Sequence, residues 1–117
     1  MIQSFNNNME LLLFAKEKTL YQKLVSQLQK DFALSNIDID LNLEISPEDL
    51  VSVLHEKIYV LILEKFSEYL NLLYIIDVPE KAFKNIAVTD VVDVAAQVTF
   101  LVLQRELQKV HLKAKYS

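Results

Sequence analysis

Not one residue of this chain is glycine, where average usage near 7% would supply roughly eight in a sequence of 117. Glycine reaches positive φ without strain and lets backbone approach a ligand closely, so its absence restricts the turns the chain can make. It also removes whole classes of site. No glycine-rich loop can cradle a phosphate, no GxGxxG can hold a dinucleotide, and no GxSxG turn can present a nucleophilic serine. Cysteine and tryptophan are missing as well, which excludes disulfides, thiolate catalysis and cysteine-based zinc sites, and is compatible with a reducing cytoplasm.

Hydrophobic residues make up 52% of the sequence, yet acids outnumber bases by 16 to 12. The length fits one helical domain, residues 1–117, with a single core. An interior of that size is too small for so much apolar surface, so some of it is expected to face a partner, most economically a second copy. The acid excess argues against a nucleic-acid partner. One basic stretch runs against it, Arg105, Lys109, His111, Lys113 and Lys115, and is read as complementing a helix C-terminus. The N-terminus lacks the basic segment and cleavage site of a signal peptide, and no uncharged run approaches the ~20 residues of a membrane span. A cytoplasmic protein is expected.

Periodicity predicts a mainly α protein, a small bundle of three long helices and one short one, with one extended segment between the first two. Asn7 with Glu10 forms a capping box that opens a helix over about 9–34, with a break expected near the charged AKEK segment. Leu20, Leu24, Val25, Leu28 and Phe32 recur there at helical spacing, and Ser35 and Asn36 end it. Residues 37–45 read IDIDLNLEI, a strict alternation that puts Ile37, Ile39, Leu41, Leu43 and Ile45 on one face of a strand. Ser46-Pro47-Glu48-Asp49 is a helix start, with Ser46 as N-cap and Pro47 in the first turn. A helix over 47–75 follows, its stripe running Val51, Leu54, Ile58, Ile62, Phe66, Tyr69, Leu73 and Ile76. Asp77 is expected to cap a short helix over 79–84. Thr89 is expected to cap a last helix over 90–113, buried around most of its girth between Val91 and Leu103.

Two sets of residues carry a metal reading. Asp38, Asp40 and Asn42 stand at positions one, three and five of a calcium-binding EF-hand loop, with Asp49 at position twelve. The partial resemblance fails at position six, where Leu43 replaces the glycine the turn requires. His55 precedes Glu56, but Tyr59 stands where a zinc protease needs its second histidine. His55 and His111 could share a metal only if the fold brings them and nearby carboxylates together. No residue is assigned a catalytic or cofactor-binding role, and no cofactor is expected.

The leading functional expectation is a non-enzymatic protein-interaction module, homodimeric, acting on itself and on a protein client. Dimerisation would run through a helical surface or through the 37–45 segment, whose two edges a lone strand leaves unpaired unless residues 1–5 or 86–88 of the same chain pair with it. A small helical metal-binding protein or enzyme using His55, His111 and neighbouring carboxylates is the alternative, with calcium binding at Asp38–Asp49 a further one.

Overall fold

The computed structural model describes residues 5–87 and 89–116. They form six helices and no strand: α1 (Asn8–Glu17), α2 (Tyr21–Leu34), α3 (Pro47–Glu64), α4 (Phe66–Ile76), α5 (Glu80–Lys84) and α6 (Val91–Tyr116). Both long helices expected before residue 76 are therefore broken, the first near the charged AKEK segment as anticipated, the second unexpectedly. No described helix is long and apolar enough to cross a membrane.

The organising element is α6, which packs against all five other helices and most extensively against α3. Its buried residues Ala95, Val98, Thr99, Val102, Leu103, Glu106, Leu107 and Val110 follow a three-and-four spacing that keeps one stripe inward. Val92 is 54% exposed, so α6 is buried on one face and open on the other, not surrounded as its sequence implied. The hydroxyl of Thr99 donates to the Ala95 carbonyl at 2.8 Å, which lets a polar residue sit in the stripe.

Three helices end on a left-handed residue that is not glycine: Thr19 (φ 55°), Asn36 (φ 60°) and Asp77 (φ 69°). Each end is a complete Schellman motif. Leu20 N–H donates to Ala15 O, Ile37 to Phe32 O and Val78 to Leu73 O, while Thr19, Asn36 and Asp77 donate to Lys16, Ala33 and Tyr74. The residue after each left-handed position (Leu20, Ile37, Val78) is buried, so apolar closure of the turn holds in place what glycine would make easy. Asp77 thus ends α4 rather than capping α5. Thr19 is the most strained of the three, because it is β-branched and its hydroxyl reaches only the Lys18 carbonyl. Thr19→Gly is expected to stabilise the fold by about 0.5–1 kcal/mol, the left-handed penalty less the added unfolded-state entropy. A urea midpoint that does not rise, at unchanged slope, would contradict this.

The break between α3 and α4 falls at Lys65 (φ −142°, ψ 59°). Its cause lies in the register of α3, whose inward residues are Leu50, Leu54, Ile58 and Leu61. The next position on that stripe is Lys65, and an unbroken helix would drive its ammonium into the core. The break turns Lys65 outward beside Glu68 (3.8 Å) and restarts the stripe with Tyr69, Leu72, Leu73 and Ile76. Phe66, expected on the inward stripe, becomes 55% exposed.

The helix starts follow the capping expectations with two adjustments. Asn7 Oδ1 accepts from Glu10 N–H at 2.9 Å and Ser46 Oγ from Asp49 N–H at 3.2 Å. At α6 the cap is Asp90, whose Oδ1 accepts from Asp93 N–H at 2.8 Å; Thr89 instead donates its hydroxyl to the Asp93 carboxylate at 2.7 Å.

The strand expected over 37–45 does not form: residues 37–42 carry neither helix nor strand, and a turn follows at Leu43–Glu44. The side-chain amide of Gln29, on α2, takes the place of a neighbouring strand: its Nε2 donates to Ile39 O at 2.6 Å and its Oε1 accepts from Leu41 N–H at 2.9 Å. Tyr21 Oη donates to Ile45 O at 2.6 Å, and burial, with Glu48 and Asp49 nearby, pushes that phenol up to about 12. Of the two segments considered as pairing partners, 1–5 and 86–88, residues Met1–Ser4 and Val88 lie outside the described residues.

Candidate functional site

The metal-ligating candidates are not brought together. Asp38, Asp40 and Asn42 point outward from the extended segment, and Asp49 lies in the first turn of α3. Asn42 Oδ1 accepts from Glu44 N–H at 2.8 Å, closing a turn. That turn throws Leu43 outward (47% exposed), so the alternation fails at its fourth apolar residue. Asp38 to Asn42 therefore do not wrap around a common centre as an EF-hand loop does. His55 bonds through Nε2 to Val92 O (3.0 Å) at the start of α6. His111 lies 19 positions further along that helix, ~28 Å at 1.5 Å per residue, with its ring stacked on Phe14 at 6.1 Å. One ion cannot bridge them. Among the described residues no group of three or more metal-ligating side chains forms.

Four of the five apolar residues proposed as a strand interface pack on the chain's own core, Leu43 being the exception. Ile37 and Leu41 are buried, and Ile39 and Ile45 are partly buried against the core.

A cluster absent from the sequence reading lies where α2, α4 and α6 meet. Lys109 Nζ sits 2.7 Å from Asp31 Oδ2, 2.6 Å from Glu106 Oε1 and 3.1 Å from the Ile76 carbonyl. Asp31 and Glu106 are both buried, at 3% and 0% exposure. Glu106 Oε1 lies against the Lys109 ammonium without accepting an aligned hydrogen bond from it. Burial, reinforced by the hydrogen bond to Asp31, pushes Glu106 up to about 9, so it is protonated at neutral pH. Burial works on Asp31 the same way, but hydrogen bonds from Glu106, Lys109 and Gln27 outweigh it and hold Asp31 below the usual carboxylate range. Lys109 loses some charge preference to burial and regains more from the two acids, ending above its ordinary value. One carboxylate, one carboxylic acid and one ammonium leave the cluster without net charge. Its signal was present in the spacing, since Asp31 and Glu106 each fall on the apolar stripe of their helix.

The basic C-terminal stretch divides: Arg105 and Lys109 make tertiary ion pairs, while Lys113 and Lys115 stand in the last turn of α6, where they complement its C-terminus. Arg105 bonds Asp77 through Nε to the carbonyl and through Nη2 to Oδ2, both at 2.9 Å.

Apolar surface collects instead on α4. Phe66, Leu70 and Tyr74 stand four residues apart in one line, 55%, 45% and 81% exposed, and Leu63 at the end of α3 extends it at 53%. No other helix carries so long an exposed apolar line; Met9 with Leu13 and Leu112 with Tyr116 are pairs. Beside this ridge runs a groove of about 510 Å³, with Ile62, Phe66, Tyr69 and Leu70 on one wall and Phe83 and Val94 among the residues of the other. Phe66 and Tyr69 pack ring against ring at 5.3 Å. Phe66 and Leu70 therefore serve both as crest of the ridge and as wall of the groove. Lys84 and Asp90 place one charge of each sign on the rim. The sequence reading missed the ridge because the Lys65 break creates it.

Comparison with protein-family models, with curated proteins and with solved structures finds no match for this chain.

Proposed function

We propose that this chain is a non-enzymatic protein-interaction module of the cytoplasm that forms a two-fold homodimer through the α4 ridge and its adjoining groove. The observation that carries this reading is the apolar line Leu63, Phe66, Leu70 and Tyr74 lying beside a concave apolar wall on the same face. A ridge next to a groove is self-complementary under a two-fold axis, each copy's crest entering the other's groove. The area is adequate. The four side chains expose on the order of 500 Å² together, so two copies cover about 1,000 Å² or more, the lower bound of a specific interface. Charge favours a second copy too. Two chains of net charge −4 repel elsewhere, but this face is balanced, with Lys84 and Asp90 on the rim and the Lys65–Glu68 and Lys84–Glu80 pairs around it.

Sedimentation equilibrium tests the reading. Wild-type protein is expected at dimer mass, and the double variant Phe66→Glu/Leu70→Glu at monomer mass with undiminished helicity. Two central apolar anchors each contribute about 2 kcal/mol or more, so association should weaken by roughly 1,000-fold. Leu34→Glu, at an exposed apolar position away from α4, should leave the dimer intact. A wild-type monomer at high concentration, or a dimer that survives the double variant, defeats the reading.

A further inference from the structure

Three cations of α6, Arg105, Lys109 and Lys113, stand four residues apart on one line of the helix, and each reaches across to another element. Arg105 meets the Asp77 carboxylate at 2.9 Å and Lys109 meets Asp31 at 2.7 Å. Lys113 meets only the neutral amide oxygen of Gln27, at 3.1 Å. Since residue 27 faces 113 and residue 31 faces 109, α2 and α6 run antiparallel here and the contacts form successive rungs. The third rung lacks its anion.

The surroundings of that rung add positive charge. Lys23 and Lys30 flank Gln27 at four residues before and three after, on the same face of α2. Neither makes an ion pair among the described residues. These side chains open on a groove of about 390 Å³ between the two helices, lined by Lys23, Ser26, Gln27 and Lys30 of α2 and by Val110 and Lys113 among the residues of α6. No carboxylate lines it. Asp31, bonded to Gln27 beneath the groove, belongs to the buried cluster, which is neutral overall and leaves the three ammonium groups uncompensated. Gln27 is fixed from beneath, its Nε2 donating to Asp31 Oδ1 at 3.1 Å, which turns its oxygen toward Lys113.

We propose that this groove binds a phosphate monoester, whose dianion supplies the charge missing from the third rung. Three ammonium groups and the Ser26 hydroxyl lining one groove suit a doubly charged, oxygen-rich group better than a single carboxylate, which would leave two cations unmatched. The volume lies at the small end of ligand sites. Buried Val110 and the lysine stems give an apolar floor for a compact organic body. The same headgroup chemistry occurs free in solution and on phosphatidic acid, and the two sources are separable.

Full-length protein is titrated with phenyl phosphate at constant ionic strength and followed by amide NMR shifts, with phosphatidylcholine vesicles containing phosphatidic acid as a second arm. Saturable shifts confined to residues 23–30 and 110–114 are expected, weakened about fivefold or more by Lys23→Gln/Lys30→Gln. Lys81→Gln, on α5, should not weaken them. Vesicle binding that the double variant abolishes, without a response to the soluble ester, assigns the phosphate to a lipid headgroup. Absence of both responses overturns the proposal, as do shifts that chloride reproduces or that the double variant leaves undiminished.

Discussion

Replacing Lys109 with methionine is expected to destabilise the fold by about 3–5 kcal/mol at neutral pH, the cost of stranding a buried charge by removing its partner. Asp31 is the group stranded. It is 3% exposed, and its strongest neighbours are Lys109 and Glu106. The same substitution removes the donor that reaches the Ile76 carbonyl at the end of α4. Methionine retains most of the volume, so the loss is electrostatic rather than a cavity. The penalty should shrink in acid, where Asp31 accepts a proton and no charge is left unpaired. Replacing the whole cluster, Asp31→Leu/Glu106→Leu/Lys109→Met, should restore much of the loss, because apolar packing often matches a buried ionic cluster in stability. Urea unfolding of the single and triple variants decides the matter. A Lys109→Met loss below about 1 kcal/mol would mean that water reaches Asp31 and that the cluster is not sealed.

Glu106→Gln should move stability the other way. A carboxyl pushed up to about 9 when folded keeps a proton that the unfolded chain, at the ordinary glutamate value of 4.5, gives up. Stability therefore falls as pH rises from about 4.5 towards 9, by up to about 1.4 kcal/mol per unit. At pH 7 this amounts to roughly 3 kcal/mol. Glutamine has the same shape and nothing to titrate; its amide can donate to Asp31 while its oxygen faces Lys109. The variant is expected to gain about 2–3 kcal/mol at neutral pH and to lose the decline between about pH 4.5 and 9. A variant that keeps the wild-type slope between about pH 5 and 9 would place the titrating group elsewhere.

Features that depend on neighbours in sequence were readable, and those that depend on neighbours in space were not. Asn7, Ser46 and Asn36 announce themselves because a cap or a left-handed turn is made within a few residues. The alternation of residues 37–45 rightly set that segment apart from the helices, but the strand it suggested does not form and a turn at Leu43–Glu44 interrupts it. It could not show that Gln29, from the preceding helix, would close it, since one amide among many polar residues carries no local sign. The break at Lys65 has no glycine or proline to mark it. Only the inward register of α3, set by packing on α6, makes Lys65 intolerable there and exposes Phe66, Leu70 and Tyr74. Asp31 and Glu106 are an intermediate case. Their places on apolar stripes were visible, but an acid on a stripe gains meaning only once a lysine from a neighbouring turn is known to face both.

The 26 residues of α6 reach ~39 Å, as long as the 36 Å greatest dimension of the molecule, and touch every other helix. It is also the last of the six to be synthesised. The five helices that leave the ribosome before it emerge with their oily sides bare, lacking the common strut that joins them. Domain closure during translation therefore waits for α6 to clear the exit tunnel, and a nascent chain stalled ahead of Val91 is a client for chaperones rather than a half-built domain.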